Sequence, residues 1–342
     1  MTNPVIPSFR KINLDEISEW QGRIVVFIPA DGRLSVGARR VNRLSKGALL
    51  RFVTSEAFSE MEVGTSKDLA WPVGHKAEAV QVIRLERNRN DAAARKAGAA
   101  IGAIGGSKDV LVLAGNQRGL ADIALGTALR AYEFNDHKTG AKKPAGSVTF
   151  AVSKPEETTE LPNTIAALAS GVFFTRDLVN EPSNILTTSE FAARLEALKD
   201  LGVTVKTLDE PELEKLGMRT LLSVGHGSRS PSKVVIMEWL HGEKGAPPLA
   251  LVGKGVVFDT GGISLKPAGG MEDMTMDMGG AGTVAGAMKT IAMRKAKANV
   301  VAIVGLVENM PDGQASRPGD VVRSMKGDTV EIINTDAEGR LV

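Results

Sequence analysis

The chain of 342 residues contains no cysteine. This absence excludes disulfide bonds, thiolate nucleophiles and zinc sites with cysteine ligands. It is typical of proteins in the reducing cytoplasm, which is the location that we expect. Histidine is scarce as well: there are four, and none is paired at the spacing of metal ligands. Any metal ion must therefore be held mainly by carboxylates.

Long hydrophobic runs are also missing. The longest, residues 300–307, is far too short to span a bilayer, and residues 1–20 lack the unbroken apolar segment of a signal peptide. The hydrophobic content of 43% and the charged content of 24% are ordinary for a globular protein. The length is sufficient for two domains that each bury a core.

The net charge of +2 combines a basic first half with an acidic second half. Residues 1–150 carry 22 Lys and Arg against 15 Asp and Glu, and residues 151–342 carry 20 against 25. A DNA-binding regulatory protein that acts through the basic half is therefore one alternative. Charges of both signs are interspersed, which favours a solvated surface. Binding to DNA would weaken steeply with salt, and this dependence tests the alternative.

Short apolar segments alternate with helical patterns along the whole chain, which predicts α/β domains with mainly parallel or mixed sheets flanked by helices. In the first half, strands are predicted at 23–29, 80–85, 109–114 and 148–152, and helices at 91–104 and 120–134. In the second half, strands are predicted at 203–207, 234–239, 249–252, 300–307, 321–325 and 329–333, and helices at 165–179, 188–199, 210–216 and 282–295.

A candidate linker with two prolines and three glutamates lies at residues 154–163. We therefore expect an N-terminal α/β domain over residues 1–155, a connecting helix over 156–180 and a second domain over 181–342.

Two segments of the second half concentrate charged side chains among glycines. The first carries Lys254, Asp259, Lys266 and Asp277. The second carries Asp336, Glu338 and Arg340, which alternate at a spacing of two. If the second segment is extended, its three side chains leave the same face.

Both segments follow predicted strands, and ligands of open α/β sheets bind beyond the carboxyl ends of the strands. Four converging carboxylates repel one another unless cations such as two divalent ions neutralise them. Lys254 is an unusual candidate ligand, since only a neutral amine can donate its lone pair to a metal. Alternatively, these acids pair with surface lysines or cap helices. Their number in a glycine-rich setting favours a metal site.

Residues 334–341, NTDAEGRL, resemble the signature of the leucyl aminopeptidases, the cytosol-aminopeptidase family of di-metal exopeptidases. Three further segments match that family in order and spacing: RDLVNEPSN at 176–184, VGKGVVFDTGGISLKP at 252–267 and MDMGGAG at 276–282. The resemblance covers most of residues 165–342, and residues 1–150 only in their α/β character. It implies that residues 181–342 are a catalytic metallopeptidase domain, incomplete at the C-terminus because the family's chains continue further.

The resemblance also implies roles for individual residues. Asp259, Asp277 and Glu338 would bind or bridge two metal ions, with Lys254 on one ion and Asp336 contributing. Lys266 and Arg340 would carry out catalysis, and Met274 would line the pocket for the first side chain of the substrate. The family implies zinc, manganese or magnesium as cofactors, bicarbonate as a general base and a homohexamer as the assembly.

The implied chemistry is physically reasonable. A water between two dications becomes a nucleophile near neutral pH, and an ion that holds a free α-amine would restrict cleavage to N-terminal residues. The resemblance implies leucine and other apolar residues as the residues removed. Lys266 could stabilise the oxyanion, and the planar fork of Arg340 could hold a carboxylate-like anion. A di-metal phosphoesterase is the other alternative, although phosphate sites usually add histidines. We further expect residues 1–342 alone to bind metal weakly, assemble badly and turn over slowly.

Overall fold

Two β-sheets, each covered by hydrophobic clusters on both faces, organise the chain. The structure is a computed structural model that describes residues 2–87, 90–140 and 144–342. It consists of two units, residues 2–169 and 170–342. The α/β class predicted from the alternation of strands and helices is confirmed. The domain limits of 1–155, 156–180 and 181–342 stay a prediction.

The first unit contains a six-stranded sheet. Its strands are β1 Ser8–Lys11, β2 Arg23–Ile28, β3 Ser66–Ala70, β4 Ala79–Arg84, β5 Val110–Gly115 and β6 Val148–Val152. Its helices are α1 Val36–Leu44, α2 Ala48–Val53, α3 Glu56–Ser59, α4 Asp91–Gly105 and α5 Leu120–Arg130. The strand order is β1-β6-β5-β2-β4-β3, and only β3 runs antiparallel to its neighbour.

Alternate residues of the central strands face two separate cores, as the period of two requires. In β2, Val25 packs with α4 and α5, whereas Ile24 and Val26 pack with the helices on the other side. The side chain of Asn90 accepts a hydrogen bond from the Ala93 amide, so it caps α4.

The predicted linker at 154–163 is largely helical. A 3₁₀ turn occupies Pro155–Thr158, and helix α6, Leu161–Asn180, begins within the predicted linker. Both prolines lie in the first turn of a helical segment, where a missing N–H costs nothing. Proline and glutamate therefore mark helix starts here and not an irregular connection.

The second unit contains a four-stranded sheet and a hairpin. Its remaining helices are α7 Thr188–Glu196, α8 Glu210–Lys215, α9 Arg219–Gly225 and α10 Gly279–Met293. Its strands are β7 Thr204–Asp209, β8 Lys233–Leu240, β9 Leu249–Asp259, β10 Asn299–Asn309, β11 Asp320–Arg323 and β12 Thr329–Ile332. The sheet order is β7-β8-β10-β9, with β9 and β10 parallel and the other neighbours antiparallel. The predicted pairing of β11 with β12 is confirmed.

Strand β9 is longer than the sequence predicts. It continues past residue 252 to Asp259, so Lys254 lies within the strand and Asp259 is its last residue. The glycines at 253 and 255 did not end the strand, because β10 pairs with it throughout this stretch. Consequently Asp259 lies opposite Asn309 at the carboxyl ends of two parallel strands.

Helix α10 approaches the backbone of β9 closely because both elements carry glycine or alanine where they meet. A Cβ atom on Gly253 would lie 2.7 Å from Ala281 Cα, and one on Gly280 would lie 3.1 Å from the Lys254 amide nitrogen. This approach brings Asp277, just before the helix, next to Lys254.

Among the described residues, no helix combines the length and the hydropathy that a membrane crossing needs.

We expect Gly253→Ala to destabilise the fold by about 1–3 kcal/mol, the usual cost of overpacking. The new methyl group would meet backbone atoms of α10, which cannot rotate away as a side chain can. Urea unfolding measures the difference. Gly313→Ala is the control, since nothing lies within 4 Å of a Cβ at that position. Equal losses in the two variants would contradict a tight contact between α10 and β9.

Candidate metal centre

Asp259 is held in one orientation at the end of β9, where it is almost completely buried. Its Oδ1 accepts hydrogen bonds from the Gly261 amide at 2.9 Å and from Asn309 Nδ2 at 2.8 Å. Its Oδ2 lies 2.7 Å from Lys266 Nζ. Since two donors occupy Oδ1, Oδ2 is the oxygen that faces Lys266.

Two glycines turn the chain back after Asp259. Gly261 and Gly262 have φ angles of +88° and +65°, in the left-handed region that favours glycine. The turn exposes polar backbone groups to Thr335. Thr335 Oγ1 donates to the Gly261 carbonyl at 2.6 Å and accepts from the Ser264 amide at 2.8 Å. These bonds attach the segment that carries Asp336 and Glu338 to the loop after β9.

A second pair of acids surrounds Lys254. Its Nζ lies 2.6 Å from Glu338 Oε1 and 2.9 Å from Asp277 Oδ1. Lys266 Nζ likewise contacts Asp336 in addition to Asp259. The six side chains form what we call the acidic cluster: Lys254, Asp259, Lys266, Asp277, Asp336 and Glu338.

The acidic cluster carries an excess of negative charge, because four carboxylates outnumber two ammonium groups. Burial raises the pKa of Asp277, and the charges of Asp259 and Glu338 raise it further, although Lys254 opposes them. Burial disfavours the charged form of Lys254, but its hydrogen bonds to Glu338 and Asp277 outweigh burial and raise its pKa. Without a further cation, Lys254 is therefore an ammonium ion.

The donor set fits divalent cations. Oxygen atoms of Asp259, Asp336 and Glu338 all lie within 4.8 Å of one another. The Oδ2 atom of Asp277 is buried and has no hydrogen-bond partner among the described residues, which leaves one acceptor unsatisfied. Carboxylate oxygens are suitable ligands for magnesium, manganese and zinc ions.

The structure brings together six of the eight residues singled out from the sequence. Arg340 is exposed and makes no hydrogen bond or ion pair within the described part of the chain. Met274 is half-buried in the 3₁₀ turn Met271–Met276, and its carbonyl accepts from the Asp277 amide at 3.2 Å. Neither side chain is ion-paired or hydrogen-bonded to the acidic cluster.

The condition stated for residues 336–340, an extended segment, is not met. The Ala337 amide donates to the Asn334 carbonyl at 3.2 Å, and the Leu341 amide donates to the Glu338 carbonyl at 2.8 Å, so the segment forms turns. The spacing of two therefore does not align the three side chains on one face. Asp336 and Glu338 reach the acidic cluster because Thr335, between Asn334 and Asp336, is attached to the loop after β9.

Sequence reasoning missed Asn309 and Thr335, two uncharged residues whose hydrogen bonds hold the segments of the acidic cluster together. Both are buried. The available signal for Asn309 was the polar pair Glu308-Asn309 that follows the apolar run 300–307, since a parallel strand of this sheet ends there. Thr335 lies within the octapeptide, but its contacts across the loop depend on the tertiary structure.

Comparison with known proteins identifies the family. The family model described as "Cytosol aminopeptidase family, catalytic domain" matches residues 173–342. A protein named "Probable cytosol aminopeptidase" from Cereibacter sphaeroides is 58% identical over 342 residues, which are 100% of this chain and 70% of the relative. A protein of the same name from Dinoroseobacter shibae is 56% identical over the same shares of both chains.

Solved structures agree with this result. The bottromycin maturation enzyme BotP in complex with Mn has a TM-score of 0.74 and 28% identity, over 94% of this chain and 66% of that one. A mutant of tomato leucine aminopeptidase has a TM-score of 0.82 over 99% of this chain and 70% of that one, and at 24% identity it shows the fold. On the strength of the relatives, this chain belongs to the cytosol aminopeptidase family of metal-dependent aminopeptidases.

Proposed function

We propose that the acidic cluster is the active site and that it removes N-terminal residues, leucine and other apolar residues above all, from peptides with a free α-amine. The observation that carries this proposal is the excess of carboxylates, two of them buried, that converges from β9, the start of α10 and the segment after β12. Such an arrangement is costly without a cation and has no evident structural use.

In this proposal five side chains hold two divalent ions: Lys254, Asp259, Asp277, Asp336 and Glu338. The unsatisfied oxygen of Asp277 and the close oxygens of Asp259, Asp336 and Glu338 support the assignment. Lys254 can serve as a ligand only after it loses its proton. When bound, two such ions supply an activated water and a binding site for the α-amine of the substrate. Manganese is one candidate, since BotP is described with Mn, and zinc and magnesium are the others.

The remaining roles belong to groups beside the ligands. Lys266 is a half-buried cation next to Asp259 and Asp336, where it can stabilise the negative oxygen that develops on the substrate carbonyl. The guanidinium of Arg340, which has no partner among the described residues, can hold bicarbonate through two parallel hydrogen bonds, and the bicarbonate would act as general base. Met274 precedes Asp277 by three residues and would line the pocket for the first side chain of the substrate.

We also propose a homohexamer as the assembly and the cytoplasm as its location. The names of the relatives support the location.

Glu338→Gln should lower the bound metal and the turnover of a leucine amide together, because it removes a buried ligand charge while retaining the shape of the side chain. Metal analysis after dialysis and hydrolysis with and without added manganese measure both effects. Glu331→Gln on the exposed side of β12 is the control and should change neither. Full activity in a metal-stripped sample would refute the proposed role of the ions.

Lys266→Ala should reduce kcat by about 10²-fold or more, as the loss of an oxyanion donor does. The bound metal should remain unchanged, since Lys266 is not a proposed ligand. Lys206→Ala removes an exposed lysine from β7 and serves as the control. If Lys266→Ala instead loses its ions, the residue supports the metal site and the catalytic assignment is wrong.

Acetylation of the α-amine of a substrate should prevent cleavage, because the amine would no longer bind to an ion. The test compares the hydrolysis of a leucine-initiated peptide with that of its acetylated form at equal concentration. Comparable rates for the two peptides would indicate an endopeptidase.

A further inference from the structure

One buried amide joins the two acidic segments. Asn309, the last residue of β10, is 4% exposed. Its Nδ2 donates to Asp259 Oδ1 at 2.8 Å and to the Thr335 carbonyl oxygen at 3.1 Å. Asp259 belongs to the first acidic segment, whereas Thr335 directly precedes Asp336 in the second. Both donor hydrogens of one side chain are thus used to connect elements that are remote in sequence.

Asn309 is itself held in place. Its main-chain carbonyl accepts hydrogen bonds from the Thr260 amide at 3.0 Å and from Thr260 Oγ1 at 2.9 Å. A Cβ atom on Gly262 would lie 2.7 Å from Asn309 Oδ1, so the turn after β9 closes directly over the amide. The position of the donor is therefore determined by the strand pair and the turn, and its two acceptors must adjust to it.

The bond to Asp259 determines which carboxylate oxygen is presented to the acidic cluster. The Gly261 amide and Asn309 both donate to Oδ1, and Oδ2 alone is directed towards Lys266. Without Asn309 the carboxylate would keep one of the two donors and could rotate about χ2. The bond to Thr335 acts on the other side of the site, where it fixes the backbone one residue before Asp336.

We propose that Asn309 is a positioning residue that couples the two acidic segments, so that they bind divalent ions as one preorganised site. The inference rests on the proposed metal site. Groups that orient metal ligands typically contribute about 10- to 100-fold to metal affinity. Loss of Asn309 should therefore raise the dissociation constant for manganese by about that factor.

A purely structural role would give a different result, and the same strand provides the control. Asn299, the first residue of β10, makes similar bonds at the opposite end of the strand. Its Nδ2 donates to the carbonyls of Glu243 at 2.8 Å and Ala246 at 3.2 Å, and its Oδ1 accepts from the Gly242 amide at 2.8 Å. Asn299→Ala should therefore reduce stability without any change in the affinity for manganese.

The experiment measures manganese binding directly by equilibrium dialysis, together with urea unfolding. It uses the full chain with Asn309→Ala, Asn309→Leu and Asn299→Ala. Asn309→Leu nearly keeps the side-chain volume and removes both donors, so it answers the question if the alanine variant does not fold. We expect both Asn309 variants to bind manganese about 10- to 100-fold more weakly than the Asn299 variant.

The outcomes separate the inference from the proposed function. If the unmodified chain binds manganese and a folded Asn309 variant binds it with equal affinity, Asn309 is structural and the inference is wrong. The inference is also wrong if Asn299→Ala weakens manganese binding equally, because the effect then follows general stability. If the unmodified chain binds no manganese at all, the proposed metal site fails, and the inference fails with it.

Discussion

Repulsion among four carboxylates is the constraint on which the second unit depends. The acids converge at the carboxyl ends of β9 and β10, where burial raises the cost of every uncompensated charge. Lys254 and Lys266 each join two of the acids, and together they leave a net negative charge. Burial raises the pKa of Asp277, and the charges of Asp259 and Glu338 raise it further against the opposing effect of Lys254. Divalent ions would neutralise the excess negative charge of the acidic cluster, which is the physical reason to expect metal binding here.

The scaffold keeps the acids together by means of small and uncharged residues. Gly253 and Gly280 allow α10 to approach β9, so that Asp277 reaches Lys254. Asn309 and Thr335 attach the segment after β12 to the turn after β9. The attractive contacts among the charges therefore act within a frame of neutral hydrogen bonds and close backbone packing, which does not depend on the ionisation of the acids.

Much of the fold was predictable from local pattern. Apolar segments that alternate with helical patterns located most strands of both sheets, because buried strands consist of short runs of apolar residues. The errors occurred where a neighbour decides the outcome. Strand β9 extends through its glycines because β10 pairs with it, and residues 336–340 form turns because Thr335 is bound to Gly261 and Ser264. Neither interaction leaves a signal within the segment itself.

The sequence by itself determined the chemistry of this protein: the scarcity of histidine and the absence of cysteine, the charged residues set among glycines, and the motifs that place it in its family. Residue type and order suffice for this, because ligand chemistry is a property of the side chains. Only the tertiary structure decided which oxygen of Asp259 faces the acidic cluster, and that a neutral residue, Asn309, connects its two halves. Hydrogen-bond direction depends on distances between remote segments, and these exist only after the strands have paired.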